Sequence, residues 1–148
     1  MKQHDMIDIS YYKNHIYDVV GAIYEVHKEL GPGLQEACYQ EGLELQLTEL
    51  GINYERERLI RPLYHGARMK SFFKLDFLCK DDIIVECKAL ADLGSIQRAQ
   101  LFNYLRITKL PCSILANFSP PFAVIERYFY DKDLNEVLTV DGQIVRKP

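Results

Sequence analysis

Residues 73–88, FKLDFLCKDDIIVECK, decide the fold of this chain. Apolar and polar residues alternate up to a polar turn at residues 80–82, and a second, mostly apolar run follows the turn. Alternation on either side of a short polar turn is typical of two antiparallel strands, which we place at residues 71–79 and 83–88. The segment therefore predicts two neighbouring strands of a sheet.

The length of the turn determines which residues of the hairpin face each other. It sets Asp76 opposite Glu86, while Leu75 and Phe77 share the other face of their strand. Lys88 projects from the same face as Glu86, and the two opposed carboxylates repel each other. A divalent cation such as Mg²⁺ or Mn²⁺ removes that repulsion, because it takes oxygen ligands. The alternatives without a metal are a hairpin slipped by one residue and a face that is simply solvated.

Two amphipathic helices are predicted before the hairpin. Apolar residues recur at helical spacing over residues 15–30, and Gly31-Pro32-Gly33 ends that helix because proline cannot continue it. A second helix is predicted over residues 34–50. Residues 52–64 are typical of strands and lead into a turn at His65-Gly66.

The segments after the hairpin complete an α/β fold. Ser95 is a good N-cap for a helix that runs to Thr108. The apolar run at residues 112–118 predicts a strand buried on both faces, and a last strand is predicted at residues 124–130. The predicted order is α-α-β-β-β-β-α-β-β, with a central mixed sheet flanked by helices.

Length and composition narrow the class of protein. A chain of 148 residues fits one domain, which we place at residues 15–131, between an N-terminal extension (1–14) and a C-terminal tail or short hairpin (132–148). The net charge of −3 argues against a protein that coats nucleic acid nonspecifically. The four cysteines form no C-x-x-C pair, and no leader or membrane-spanning run is apparent. We expect a reduced, soluble, cytoplasmic protein.

Two motifs resemble those of a known family. Asp76, followed ten residues later by Glu86-x-Lys88, resembles the PD-(D/E)XK nuclease signature, with Leu75 in place of its proline. Gly31-Pro32-Gly33-Leu34-x-Glu36-x-x-Tyr39 is similar to the opening motif of the small GxxExxY proteins, a branch of that superfamily. The resemblance implies a PD-(D/E)XK nuclease-like core over roughly residues 16–130. It continues in the segments Gly21–Leu30, Gln100–Leu105 and Asn117-Phe118.

The resemblance also implies roles for particular residues. Asp76 and Glu86 would hold Mg²⁺ or Mn²⁺, Glu36 would lend a further carboxylate, and Lys88 would assist the attacking water. Gln100 would be a catalytic residue that orients the substrate or the lysine. The predicted substrate-binding residues are Tyr104, His27 and Tyr39.

Several of these residues have a structural alternative. Glu36 lies at a predicted helix start, where a carboxylate interacts favourably with the helix dipole. Tyr39 and Tyr104 could be amphipathic core residues, Gln100 a surface residue, and His27 a structural histidine. The sequence leaves both interpretations open for each of them.

Basic residues gather in one part of the sequence. They are Arg56, Arg58, Arg61, Arg68, Lys70 and Lys74. In an acidic chain this local surplus could face phosphates. It could equally be the solvated side of edge strands, where charges block aggregation.

The function that these features favour is a metal-dependent nuclease that hydrolyses phosphodiester bonds. Its expected partner is nucleic acid, either DNA or RNA, and not a membrane. The alternative is a non-catalytic nuclease-fold module that binds nucleic acid or a protein partner. A third hypothesis is a homodimeric partner in a larger complex, since tyrosine-rich surfaces often mark interfaces.

Overall fold

The computed structural model describes residues 6–146 as an α/β fold built on one mixed sheet, as the sequence predicts. Residues 1–5 and 147–148, at the ends of the predicted extension and tail, lie outside the described residues. The helices are α1 (Ile9–His15), α2 (Tyr17–Leu30), α3 (Glu36–Leu50) and α4 (Ser95–Thr108). The strands are β1 (Tyr54–Ile60), β2 (Leu63–Tyr64), β3 (Ala67–Arg68), β4 (Phe73–Cys79), β5 (Ile83–Lys88), β6 (Cys112–Asn117), β7 (Val124–Asp131), β8 (Glu136–Leu138) and β9 (Ile144–Arg146).

The main sheet has seven strands in the order β1-β4-β5-β6-β7-β8-β9, while β2 and β3 pair only with each other. Strands β5 and β6 are parallel, and the other neighbouring pairs are antiparallel. A parallel pair needs a crossover connection, and α4 supplies it. The central strand β6 is buried along its whole length, as its apolar run predicts.

Helices cover both faces of the sheet. Helices α2 and α3 pack over one core on one face, and α4 packs over a second core on the other. Alternation along β5 sends Ile83, Val85 and Cys87 into the first core and Ile84 into the second. Glu86 is two residues after Ile84 and therefore points to the α4 side. None of the described helices is long and apolar enough to span a bilayer.

The first helix of the structure was not predicted. Residues 9–15 form α1, which lies within the predicted extension except for its last residue, His15. Asp8 caps it by accepting a hydrogen bond of 3.1 Å from the Tyr11 N–H. Tyr12 of α1 packs against the α2–α3 core. The predicted helix over residues 15–30 therefore begins later, as α2 at Tyr17, and ends as predicted at Gly31, whose φ is 73°.

Two helix starts differ from their predictions for local reasons. Helix α3 begins at Glu36 and not at Leu34, because Gln35 is extended and the Leu34 N–H donates to the Tyr39 hydroxyl at 3.1 Å. The N-cap of α4 is Gly94 and not Ser95. The Gly94 N–H donates at 2.8 Å to the side-chain oxygen of Gln97, which closes the first turn.

The strand-like residues 52–64 divide into an edge strand and a small hairpin. Strand β1 lies at the edge of the sheet, and β2 pairs with β3 across the predicted His65-Gly66 turn. For the segment after residue 131 the sequence left a tail and a short hairpin open, and in the structure β8 and β9 pair with each other and extend the main sheet beyond β7.

The predicted alternation of β4 breaks at Asp76. Leu75 packs in the α4-side core and Phe77 in the α2–α3 core, so the expectation that they share a face is wrong. The neighbouring ladder explains the break. Arg56 pairs with Phe77 and Arg58 with Leu75, but no pair forms at Asp76. Strand β4 therefore leaves regular pairing at the residue that the sequence singles out.

Candidate active site

Asp76 and Glu86 meet where β4 and β5 separate. The ladder pairs Phe77 with Val85, in the register that the sequence predicts, and it ends there. Beyond that pair, hydrogen bonds from backbone N–H groups to side-chain carboxylates replace the backbone–backbone bonds of the ladder. The Asp76 N–H donates to Glu86 Oε2 at 3.0 Å, and the Cys87 N–H donates to Asp76 Oδ2 at 2.8 Å. Each carboxylate is thus held by the backbone of the opposite strand.

The Glu86 carboxyl is in an unfavourable place for a charge. Its residue is only 4% exposed. Burial raises the pKa of Glu86 well above its ordinary value, the Asp76 carboxylate raises it further, and the Lys88 ammonium lowers it. The ion pairs among the described residues include neither Asp76 nor Glu86. Within the described residues, no cation therefore forms an ion pair with either carboxyl group, and a charge on Glu86 is disfavoured by burial and by Asp76.

This donor set fits a hard divalent cation. Two carboxylates with water in the other positions are a usual Mg²⁺ site. No group of three or more His, Cys, Asp or Glu side chains within residues 6–146 is placed to hold a metal ion. A cation at Asp76 and Glu86 would therefore be completed by water.

Lys88 is half-buried at the end of β5. Its charge lowers the pKa of both Glu86 and Glu36, which places the ammonium within electrostatic range of two carboxylates. Asn117 of β6 pairs with Lys88 and holds the chain that follows. Its side chain donates to the Leu90 carbonyl and accepts from the Leu90 N–H, both at 2.9 Å. The end of β5 is therefore fixed on both sides of Lys88.

Glu36 approaches the site from the first turn of α3. Burial raises its pKa, the charge of Asp76 raises it further, and Lys88 and a hydrogen bond from Gln40 lower it. Gln40 Nε2 donates to Glu36 Oε1 at 3.1 Å. Glu36 thus belongs to the same electrostatic group as Asp76 and Lys88, although it does not complete a three-ligand cluster.

Two residues that support Glu36, Gln40 and Arg56, were not predicted to do so. Arg56 of β1 donates to Gln40 Oε1 at 3.4 Å and lies 3.8 Å from a Glu44 carboxylate oxygen. Because arginine has only donors, Gln40 must turn its oxygen to Arg56 and its NH₂ to Glu36. The i, i+4 spacing of Glu36 and Gln40 could have indicated Gln40. The sequence singles out Arg56 only as one of the clustered basic residues, and no local signal predicts its contacts with Gln40 and Glu44 on another element.

Tyr104 and Gln100 lie on α4 and interact with each other. Burial raises the pKa of Tyr104 to about 12, the charges of Glu86 and Asp76 add to the rise, and a hydrogen bond with Gln100 lowers it. The Tyr104 ring stacks on Phe73 with centroids 4.2 Å apart. Tyr104 thus lies within electrostatic range of Asp76 and Glu86, and Gln100 contacts the Tyr104 hydroxyl.

Tyr39 and His27 are engaged in holding loops. The fully buried Tyr39 donates its hydroxyl proton to the Gly31 carbonyl at 2.6 Å. His27 Nε2 donates to the Pro120 carbonyl at 2.9 Å, and both rings stack on Phe118. None of their hydrogen bonds or ring contacts within the described residues reaches Asp76 or Glu86. Their substrate-binding roles stay predictions.

Comparisons with known proteins give a family match over most of this chain. The family model described as the PD-(D/E)XK nuclease superfamily matches residues 13–128. A solved structure titled "Crystal structure of SSO0001" is 18% identical, covers 86% of this chain and 68% of that chain, and has a TM-score of 0.48. No curated protein matches the sequence significantly.

Proposed function

The chain belongs to the PD-(D/E)XK nuclease superfamily, and from that premise we propose that it is a metal-dependent nuclease of the GxxExxY branch. Its reaction is the hydrolysis of phosphodiester bonds in nucleic acid. The observation that carries this proposal is the Asp76–Glu86 pair, in which each carboxylate accepts a hydrogen bond from the opposite strand and no described cation forms an ion pair with either.

Asp76 and Glu86 would hold Mg²⁺ or Mn²⁺, with Glu36 as the nearest additional carboxylate. When bound, such a cation activates water for attack and stabilises negative charge on a phosphate. Glu86 must give up its proton for this purpose, and its raised pKa makes the loss unfavourable in the metal-free protein.

Lys88 supplies positive charge beside the reacting phosphate. Its ammonium lies in range of Glu86 and Glu36 and can stabilise the negative charge that develops on the phosphate oxygens during attack. The pairing of Lys88 with Asn117 fixes the strand end that carries it. A positioned ammonium of this kind is worth more in a partly buried site than in water.

Tyr104 and Gln100 orient the substrate in this scheme. With a pKa of about 12, the Tyr104 hydroxyl keeps its proton at neutral pH and can donate it to a phosphate oxygen. Gln100 hydrogen-bonds to the same hydroxyl and restricts its direction.

A cleavage assay with Mg²⁺ or Mn²⁺ on single-stranded and duplex DNA and RNA tests the proposal. We expect cleavage of at least one substrate, its loss in EDTA, and a fall of at least about 10²-fold in Glu86→Gln. Glu41→Gln, on the exposed side of α3, is the matched control and should cleave normally.

No cleavage of any substrate, with wild type and Glu86→Gln behaving alike, would contradict the enzymatic function. Salt-dependent binding of nucleic acid without turnover would then favour a non-catalytic module.

A further inference from the structure

A small hairpin protrudes from the end of the main sheet. Residues 61–72, which we call the basic hairpin, contain β2 and β3, and these strands pair with each other and not with the sheet. Its large apolar side chains face solvent: Leu63 is 68% exposed, Tyr64 66% and Phe72 53%. Exposed apolar groups concentrated in one segment commonly mark a binding surface.

The basic hairpin also carries unpaired positive charge. No Asp or Glu occurs from Arg58 to Leu75, although the chain has a net charge of −3. Within the described residues no ion pair involves the hairpin cations or the one that follows them. These cations are Arg61, Arg68, Lys70 and Lys74. The surface thus combines apolar rings with free cations, the two groups that contact bases and phosphates.

The position of the hairpin connects it to the candidate active site. The β1–β4 ladder ends with the pair Ile60–Phe73 at the base of the hairpin. Phe73 stacks on Tyr104, which lies within electrostatic range of the carboxylates. Asp76 is three residues beyond Phe73, about 10 Å along an extended strand. A chain bound along the hairpin would therefore lead to Asp76.

We propose that the basic hairpin binds single-stranded nucleic acid and directs it to the Asp76–Glu86 pair. This inference rests on the proposed function and adds the strandedness of the substrate. Tyr64 and His65 stack with ring centroids 4.4 Å apart and an interplanar angle of 6°, so each ring covers one face of the other, and the outer face of this pair offers an aromatic platform at the 66% exposed Tyr64. Bases inside a duplex have both faces covered by their neighbours, whereas an unpaired base can stack on such a platform.

Binding is measured in EDTA, where cleavage does not interfere. Fluorescence anisotropy compares a labelled DNA strand, an RNA strand of the same sequence and the corresponding duplexes. We expect either single strand to bind at least about 10-fold more tightly than its duplex, since stacking adds to the phosphate contacts. The single strand that binds more tightly shows whether the protein prefers DNA or RNA.

Two variants test the hairpin itself. The triple variant Arg61→Gln, Arg68→Gln, Lys70→Gln should reduce the slope of log affinity against log salt by about 2, at about 0.7 per phosphate contact. Tyr64→Ala should weaken single-strand binding about 10-fold and leave duplex binding nearly unchanged. The matched controls are Lys13→Gln, Lys109→Gln, Lys132→Gln and, for the ring, Tyr17→Ala, all at exposed positions.

Equal affinity for single strands and duplexes, or equal losses in the controls, would overturn the proposal. So would a triple variant that binds normally but aggregates in size-exclusion chromatography, because the charges would then only protect the edge strand β1. Hydrolysis of bis(p-nitrophenyl) phosphate with Mn²⁺ separates this inference from the proposed function. The hairpin variants should retain this hydrolysis. If the wild type lacks it but still binds nucleic acid through the hairpin, the proposed nuclease function is contradicted and the inference about the hairpin is not.

Discussion

At the scale of single residues, folding and the proposed chemistry favour opposite protonation states of Glu86. Folding places its carboxyl in a site only 4% exposed and next to Asp76, where the neutral form is favoured. Binding a divalent cation requires the ionised form. Because folding favours the neutral form, the stability of the metal-free protein depends on pH.

Glu86→Gln should remove that dependence. A glutamate in an unfolded chain titrates near about 4.3, whereas the pKa of Glu86 in the folded protein is raised. The folded state therefore holds the proton more tightly, and the contribution of Glu86 to stability is lost as pH rises from about 4.3 through the raised pKa. Urea unfolding in EDTA between about pH 5 and 8 should show wild type losing stability relative to the variant. Parallel stability curves would contradict the assignment.

Asp76 allows charge and hydrogen bonding to be separated. Asp76→Asn keeps an oxygen for the Cys87 N–H and removes the charge that repels Glu86 when Glu86 is ionised, so metal-free stability should stay equal or rise by about 0.2–1 kcal/mol. Asp76→Ala leaves that N–H without its partner and should cost about 1–3 kcal/mol. Both variants should lose Mn²⁺ binding in calorimetry. A large loss of stability in Asp76→Asn would show that the charge itself is structural.

Lys88 distinguishes an enzyme from a binding module. Lys88→Met keeps the aliphatic stem and removes the charge, and it should slow cleavage by about 10²–10⁴-fold. The affinity for Mn²⁺ should rise slightly, because a competing positive charge near Glu86 is gone. Cleavage at the wild-type rate would show that the activity belongs to another site or to a contaminant.

At the scale of elements, the loop between α2 and α3 depends on one hydroxyl. Tyr39 donates to the Gly31 carbonyl and accepts from the Leu34 N–H, so a single side chain holds both ends of this loop and the start of α3. Glu36 lies two residues beyond Leu34. The position of this carboxylate therefore depends on the same bonds.

Tyr39→Phe should destabilise the protein by about 0.5–1.5 kcal/mol for each lost hydrogen bond, with the ring still packed on Phe118. The measurement is the free energy of unfolding, with Tyr24→Phe, whose side chain is exposed, as the control. Unchanged stability together with a raised KM for nucleic acid would instead favour the predicted substrate-binding role.

The sequence predicted those features of the elements that depend on local contacts, and it did not predict those that depend on contacts between distant residues. The β4–β5 register followed from the length of one turn, and the end of α2 followed from Gly31. The break in alternation at Asp76 was missed because it involves bonds between side chains and the backbone of another strand. The Arg56–Gln40 contact was missed because it joins residues 16 positions apart on a strand and a helix.

At the scale of the whole molecule, the fold brings three separate elements to one end of the β4–β5 hairpin. Helix α3 contributes Glu36, helix α4 contributes Tyr104, and the hairpin contributes Asp76, Glu86 and Lys88. These helices lie on opposite faces of the sheet, and β4 departs from regular pairing at Asp76. The resemblance to the family implied this convergence, whereas periodicity and composition did not.

The central claim is that Asp76 and Glu86 hold a divalent cation. Crystals soaked in Mn²⁺ and measured at the manganese absorption edge test it most directly. The account predicts one anomalous peak within about 2.0–2.3 Å of a carboxylate oxygen of each residue, absent from Asp76→Asn crystals soaked in the same way. If crystals of active protein showed no peak there, or a Mn²⁺ ion bound by other residues, this assignment would be contradicted.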